Sequence, residues 1–118
     1  MINKQQKIRQ LFIDMDGVLA DFESGLSDIL GYKVDLKAVK DVYDDRKREV
    51  TAKHLFRNLK PLPDAWKLID WALNSGIHTE ILTAAGTVNR SLVCKDKIEW
   101  VREPVSYTHL TLPTIYSV

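Results

Sequence analysis

Two aspartates, Asp14 and Asp16, stand two residues apart where a short apolar run meets Gly17. The run at 11–13, Leu-Phe-Ile, has the residue types of a buried strand, and side chains two apart on a strand share a face. If the extended conformation persists to the turn, both carboxylates converge at the carboxyl end of the strand, where open α/β sheets bind ligands. One carboxylate there can attack phosphorus to form an aspartyl phosphate, and the other can protonate the leaving oxygen and then activate water. The spacing therefore indicates phosphoryl transfer.

Two acids beside a phosphate repel it, so we expect a hard divalent cation with oxygen ligands, Mg²⁺. The same Asp-x-Asp-Gly string occurs in calcium loops, but an EF-hand needs glycine at loop position six and glutamate at twelve. Counted from Asp14, the glycine is fourth and position twelve is Gly25. A turn whose aspartates only bond the local backbone is the alternative that stays open.

The string Asp-Met-Asp-Gly-Val-Leu-Ala-Asp-Phe at 14–22 resembles the first motif of the haloacid dehalogenase-like (HAD) phosphatase superfamily, and within it the 5'(3')-deoxyribonucleotidase branch. The resemblance implies that Asp14 is the nucleophile and a metal ligand. It implies that Asp16 is the general acid/base and turns its carbonyl to the metal, and that Phe22 stacks on the nucleobase. An aromatic at the start of an amphipathic helix is equally typical of core, so both readings of Phe22 stay open.

A second apolar run ends at Thr83, as the first ends at Asp14. Parallel neighbouring strands bring this hydroxyl close to the carboxylates, and the backbone N–H groups of residues 84–86 are suited to phosphate oxygens. Ile-Leu-Thr-Ala, ending at Ala84, is similar to the second motif of the superfamily. The family also has a lysine that neutralises nucleophile and phosphate. Lys97 stands where the branch's Glu-Lys-x-x-Trp-Val segment places it, and Lys95 is the competitor.

The elements that must position these residues follow from spacing and stop signals. Helical spacing runs from Leu19 to Leu30 and ends at Gly31; the charged interval 35–53 predicts a surface helix and loop. Asp64 is expected to cap a helix that ends at Gly76. Residues 78–83 form the second strand, parallel to the first. Thr87 or Asn89 is expected to cap a last helix.

These elements predict an α/β fold, and the resemblance implies a Rossmann-like HAD core with a small helical cap insert. The core would comprise residues 1–18 and 60–104, and the cap 19–59. The superfamily's fourth motif, a pair of acids after a further strand, has no counterpart, and no further βα unit is expected after Pro104. Residues 105–118 resemble the translation of a sequencing-library adapter, and the alternative is a real C-terminal strand that pairs with the edge of the sheet. We therefore expect a non-native tail, an incomplete core and an inactive fragment of the parent enzyme.

Composition narrows the function classes. The chain has 118 residues, 45% of them hydrophobic, and a net charge of +1, which fits one small domain without the basic footprint of a nucleic-acid polymer binder. Cys94 is the sole cysteine and no apolar run reaches membrane-spanning length, so a cytoplasmic protein is the expectation. His54, His78 and Cys94 show no ligand spacing and are expected to be structural. A homodimer is left open.

The expected function is that of a Mg²⁺-dependent phosphomonoesterase for deoxyribonucleoside 5'(3')-monophosphates. Two alternatives remain: a HAD phosphatase for another small phosphomonoester, and a non-catalytic binding domain.

Overall fold

The computed structural model describes residues 10–102 together with the backbone of Thr114–Tyr116. Strands and helices alternate along the chain, so the fold is α/β, as the sequence predicts. The elements are β1 (Gln10–Asp14), α1 (Phe22–Leu30), a 3-10 turn (Leu36–Ala38), α2 (Val39–Ala52), α3 (Ala65–Asn74), β2 (His78–Ala84), α4 (Arg90–Arg102) and β3 (Thr114–Tyr116). Within these residues, no helix combines the length and apolar character needed to cross a bilayer.

The sheet has the order β1-β2-β3, and both pairings are parallel. The parallel arrangement predicted for the first two strands is confirmed, with Ile13 paired to Ile81 and Asp14 to Leu82. β3 follows α4, and its residues Thr114–Tyr116 pair with β2 at the edge of the sheet, as the alternative of a C-terminal strand predicts. The other residues of the expected non-native tail, 105–113 and 117–118, lie outside the described residues.

The two faces of β1 differ in burial because successive side chains of a strand point to opposite sides. Ile13 is buried and packs in one core with the fully buried Ile81 of β2. Phe12 is 51% exposed on the other face, which it shares with Asp14. Ile13 therefore faces the core from one side of β1, and Asp14 lies on the opposite, exposed side.

The turn after β1 is held by backbone hydrogen bonds. The carbonyl of Met15, whose side chain is fully buried, accepts from the N–H groups of Leu19 and Ala20 at 2.9 Å each. Gly17 adopts a φ of 81°, a left-handed conformation that glycine takes without steric cost. These bonds fix the direction in which Asp16 leaves the sheet.

The predicted end of α1 at Gly31 is confirmed, its start lies at Phe22 rather than at Leu19, and one predicted cap is wrong. Asp21 accepts a hydrogen bond from Ser24 N at 3.2 Å, and Gly31 closes the helix at a φ of 81°. Asp64 does stand at the N-cap position of α3, but its side chain makes no capping bond and lies 3.7 Å from Lys67 instead. The exposed Asp64 carboxylate pairs with Lys67 one turn later, and it does not accept from the N–H groups at the start of the helix.

The expected surface helix over 35–53 is confirmed as α2, which also packs inward at its end. Val50 and Thr51 are buried, whereas the charged residues before them form pairs such as Arg46 with Glu49 at 2.8 Å. Tyr43 of α2 meets Phe22 of α1 edge to face, with ring centroids 5.1 Å apart. This aromatic contact packs α2 against the start of α1.

Candidate functional site

Lys97 is the centre of the site. Its side chain is only 1% exposed, although helix α4 carries several other charged residues. The Nζ atom donates to Asp16 Oδ2 at 2.9 Å, to Thr83 Oγ1 at 2.6 Å and to the Ala84 carbonyl at 2.6 Å. A buried ammonium group is tolerated only when its protons are all paired. The three acceptors come from the β1 turn and the end of β2, so Lys97 joins both parts of the site.

Asp16 faces Lys97 and Thr83 with one of its carboxylate oxygens. Thr83 Oγ1 lies 3.5 Å from Oδ2, a distance at the long limit of hydrogen bonding. The second oxygen, Oδ1, is buried and has no hydrogen-bond partner among the described residues. A buried carboxylate oxygen without a donor is costly, so it marks a place where a proton or a cation would be stabilising.

Asp14 does not join this cluster. It is exposed at the end of β1, paired in register with Leu82, and it is not among the residues that line the cavity next to Asp16. The expected convergence of Asp14 with Asp16 required the extended conformation to continue through Met15. Met15 instead starts a hydrogen-bonded turn, so β1 ends at Asp14 and the extended conformation does not reach Asp16.

A cavity of about 340 Å³ opens beside Lys97. The side chains that line it are Asp16, Phe22, Tyr43, Lys47, Phe56 and Lys97, together with residues 84–88. Its wall combines aromatic rings with charged groups: Phe22 and Phe56 have centroids 5.9 Å apart, and Lys97 Nζ lies 4.3 Å from the centre of the Phe56 ring. Such a cavity suits a ligand with an anionic end and a flat apolar end.

The predicted phosphate residues Thr83, Ala84, Lys97 and Phe22 therefore meet at one cavity. Thr83 is the last buried residue of β2, and Ala84 is the final residue of the strand. The loop that follows contains Gly86, whose φ is 67°. Lys95, the alternative lysine, is exposed and lines a separate groove. The geometry thus favours Lys97 over Lys95 for contact with an anion.

Tyr43 and Lys47 line the cavity although the sequence analysis did not select them as site residues. Burial, with the nearby negative charges of Asp16 and Asp44, raises the pKa of the Tyr43 phenol to about 12. Lys47 lies 3.2 Å from Asp44 and 5.7 Å from the centre of the Tyr43 ring. Within the charged interval 35–53, the apolar residues Leu36, Val39, Val42 and Tyr43 form a thin stripe. This stripe was the available signal for Tyr43, because the apolar side of a surface helix packs inward.

His54, which was expected to be structural, contacts a buried carboxylate. Its Nδ1 atom lies 3.0 Å and 3.2 Å from the two carboxylate oxygens of Asp96, which is 3% exposed. The two residues are 42 positions apart in sequence, so spacing carries no sign of the pair. His78 lies 3.6 Å from Glu80, and Cys94 is a half-buried free thiol.

The fit of a Mg²⁺ ion depends on carboxylate oxygens. No group of three or more His, Cys, Asp or Glu side chains within the described ranges is arranged to hold a metal. Mg²⁺ often binds through one or two carboxylates, with waters and substrate phosphates completing its octahedron. The orphaned Oδ1 of Asp16 fits such a site, whereas Asp14 does not line the cavity beside it and would join the same ion only through a movement of the turn.

Comparison with known proteins adds no family. No protein-family model matches the sequence, and no curated protein matches it.

Proposed function

We propose that this chain is the nucleophile-bearing part of a Mg²⁺-dependent phosphomonoesterase with a Rossmann-like HAD core, acting on deoxyribonucleoside 5'(3')-monophosphates. The observation that carries the proposal is the contact of the buried Lys97 ammonium with Asp16 and Thr83 at the carboxyl ends of two parallel strands. A cation, a hydroxyl and a carboxylate beside one cavity are the groups that phosphoryl transfer needs. The single cysteine suits a cytoplasmic enzyme.

In the proposed reaction, Lys97, Thr83 and the N–H group of Ala84 hold the phosphate oxygens. The carboxylate of Asp14 attacks phosphorus, and the bond from phosphorus to the ester oxygen breaks as Asp16 gives that oxygen a proton. Water then attacks phosphorus while Asp16 takes its proton, and the bond to Asp14 breaks to release phosphate. Since Asp14 does not line the cavity, the turn must bring it there when phosphate binds.

The aromatic side of the cavity accounts for the proposed substrate. Phe22 and Phe56 line the cavity that Lys97 also lines, and their aromatic surface suits a flat nucleobase. Mg²⁺, when bound to Asp14 and Asp16, would supply positive charge that offsets the repulsion between carboxylates and phosphate. A different small phosphomonoester without a base would leave this aromatic wall unused.

The exposed position of Asp14 favours one second candidate, a phosphate-binding domain that performs no chemistry. Both candidates use Lys97 and Thr83, and they differ in whether Asp14 becomes phosphorylated.

The deciding experiment uses p-nitrophenyl phosphate, because its leaving group departs without a proton. The chain, Asp14→Asn and Asp16→Asn are incubated with it and Mg²⁺, quenched in acid and weighed by intact mass spectrometry. We expect a bound phosphoryl group that accumulates in Asp16→Asn, where water is not activated, and is missing in Asp14→Asn. Phosphate binding without any adduct in wild type or Asp16→Asn would favour the binding domain and overturn the enzyme.

A competition panel then tests the substrate class. Deoxyribonucleoside 5'- and 3'-monophosphates are expected to suppress the adduct at lower concentrations than ribose or hexose phosphates. Equal suppression by sugar phosphates would reject the nucleotide assignment while leaving the phosphatase.

A further inference from the structure

A polar seam joins helix α4 to the end of α2 and the loop that follows it. Asn89, directly before α4, donates to Thr51 Oγ1 at 2.9 Å. About two helical turns after Asn89, Asp96 Oδ2 lies 3.0 Å from His54 Nδ1. Three residues later, Glu99 Oε2 accepts a hydrogen bond from Arg57 Nε at 3.1 Å. We call these contacts the α2–α4 seam.

The His54–Asp96 contact differs from the others in burial. The Asp96 side chain is 4% exposed, whereas the His54 ring is 52% exposed and the Arg57–Glu99 pair is 35% and 44% exposed. A carboxylate removed from water needs a partner, and the His54 ring bonds both of its oxygens. The charged groups that share this groove with His54 are Arg57, Lys95, Asp96 and Glu99.

The backbone of His54 adopts an uncommon conformation that serves this contact. Its φ is 62°, in the left-handed region that glycine and asparagine tolerate and most side chains avoid. The N–H of His54 bonds the Thr51 carbonyl at 3.1 Å, and the His54 carbonyl accepts from Asn58 Nδ2 at 3.0 Å. The chain therefore turns at His54 directly after α2, and the ring reaches Asp96.

Asp96 and Lys97 are neighbours on α4, and both are buried. Successive side chains of an α-helix are separated by about 100° around its axis. A contact that holds Asp96 against the seam thus sets the direction in which Lys97 leaves the helix, toward Asp16 and Thr83. This contact acts together with the buried Val93 and with Trp100, whose indole N–H donates to the Leu59 carbonyl at 2.7 Å.

We propose that His54 is a positioning residue: through Asp96 it fixes the rotation of α4 that delivers Lys97 to the phosphate cavity. The inference about the ligand rests on the proposed function, whereas the placement of Lys97 does not.

Two substitutions separate the ring from the backbone. His54→Gly and His54→Asn both accept a positive φ, but only asparagine keeps an N–H donor close to the place of Nδ1. Lys97 exposure is read by brief acetylation followed by peptide mass spectrometry, which reports local opening of a buried lysine. We expect Lys97 to acetylate roughly tenfold faster in His54→Gly, since a hydrogen bond to a charged group is lost, and at close to the wild-type rate in His54→Asn.

Glu99→Gln is the matched control, because it removes the carboxylate charge of the neighbouring seam pair and leaves His54–Asp96 intact. Its Lys97 labelling is expected to stay at the wild-type rate. Equal Lys97 protection in His54→Gly and wild type, no rescue by asparagine, or the same increase in Glu99→Gln would overturn the proposal. If circular dichroism finds His54→Gly unfolded, Asp96→Asn replaces it. This variant weakens the pair at constant shape, and unchanged labelling of Lys97 in it would also overturn the proposal.

Inorganic phosphate provides the functional reading. Titration followed through the amide signals of Thr83 and Ala84 is expected to show weaker binding in His54→Gly, again by about tenfold, with recovery in His54→Asn. If wild type binds no phosphate, the proposed function fails, while the acetylation result still decides the role of His54.

Discussion

Lys97 Nζ and Asp16 Oδ2 lie 2.9 Å apart although 81 positions separate the two residues in the sequence. The contact joins α4 to the turn after β1, and Thr83 of β2 lies beside it, with its hydroxyl 2.6 Å from Lys97 Nζ. An ammonium group held by a carboxylate and a hydroxyl is already placed for a phosphate dianion. The carboxylate that neutralises it is the one proposed to move the proton.

Lys97 and Lys95 provide a matched pair of substitutions. Lys97→Met keeps the length of the side chain and removes its charge, so phosphate affinity is expected to fall by roughly tenfold to a hundredfold. Lys95→Met changes the exposed groove and is expected to leave the affinity unchanged. Calorimetric titration with inorganic phosphate measures both. Equal losses in the two variants would point to general charge attraction rather than to a site at Lys97.

Tyr43 makes stability depend on pH in the alkaline range. Its folded pKa is raised to about 12 from an ordinary value of 10, so the folded state holds the phenolic proton more tightly than the unfolded state. The resulting stability is complete below pH 10 and is lost as the pH rises toward 12. Urea unfolding across this range is expected to lose stability in wild type more steeply than in Tyr43→Phe. Tyr32→Phe, which alters an exposed ring, is the control and should follow wild type.

Asp21 and Asp64 occupy equivalent N-cap positions with different bonding. Asp21 accepts from Ser24 N, whereas Asp64 makes no capping bond. Asp21→Ala should therefore destabilise the protein by about 1 kcal/mol, and Asp64→Ala should change its stability by less than about 0.5 kcal/mol. Denaturant midpoints at constant slope give both values. A loss at Asp64 as large as that at Asp21 would contradict the assignment of the caps.

Binding of Mg²⁺ alone should be weak. Two carboxylates, one of them engaged with Lys97, leave most of the ion's ligands to water. The melting temperature is expected to stay unchanged at about 1 mM Mg²⁺, because a ligand stabilises a fold only when its concentration exceeds its dissociation constant. Ca²⁺ at the same concentration controls for ionic strength. A clear Mg²⁺-specific rise would reveal a more complete set of ligands.

Local patterns predicted much of the fold. Helical spacing with Gly31 as a stop located α1, and two apolar runs located β1 and β2. The cap at Asp64 could not be predicted, since an exposed aspartate bonds a helix N–H or a lysine at similar free energy. The pairing of Thr114–Tyr116 with β2 was left open by the sequence, because the tail residues have β propensity but also resemble translated adapter.

The sequence by itself determined which groups can do chemistry: Asp14, Asp16, Thr83 and Lys97 follow from residue type and from their places at the ends of predicted elements. Tertiary structure decided which of them meet. It brought Asp16, Thr83 and Lys97 together, left Asp14 on the outer face of β1, added Tyr43 to the cavity wall, and paired His54 with Asp96. The reason is physical. Strand and helix periods depend on near neighbours along the chain, whereas the exit of a turn and the rotation of a helix depend on packing between residues far apart in sequence.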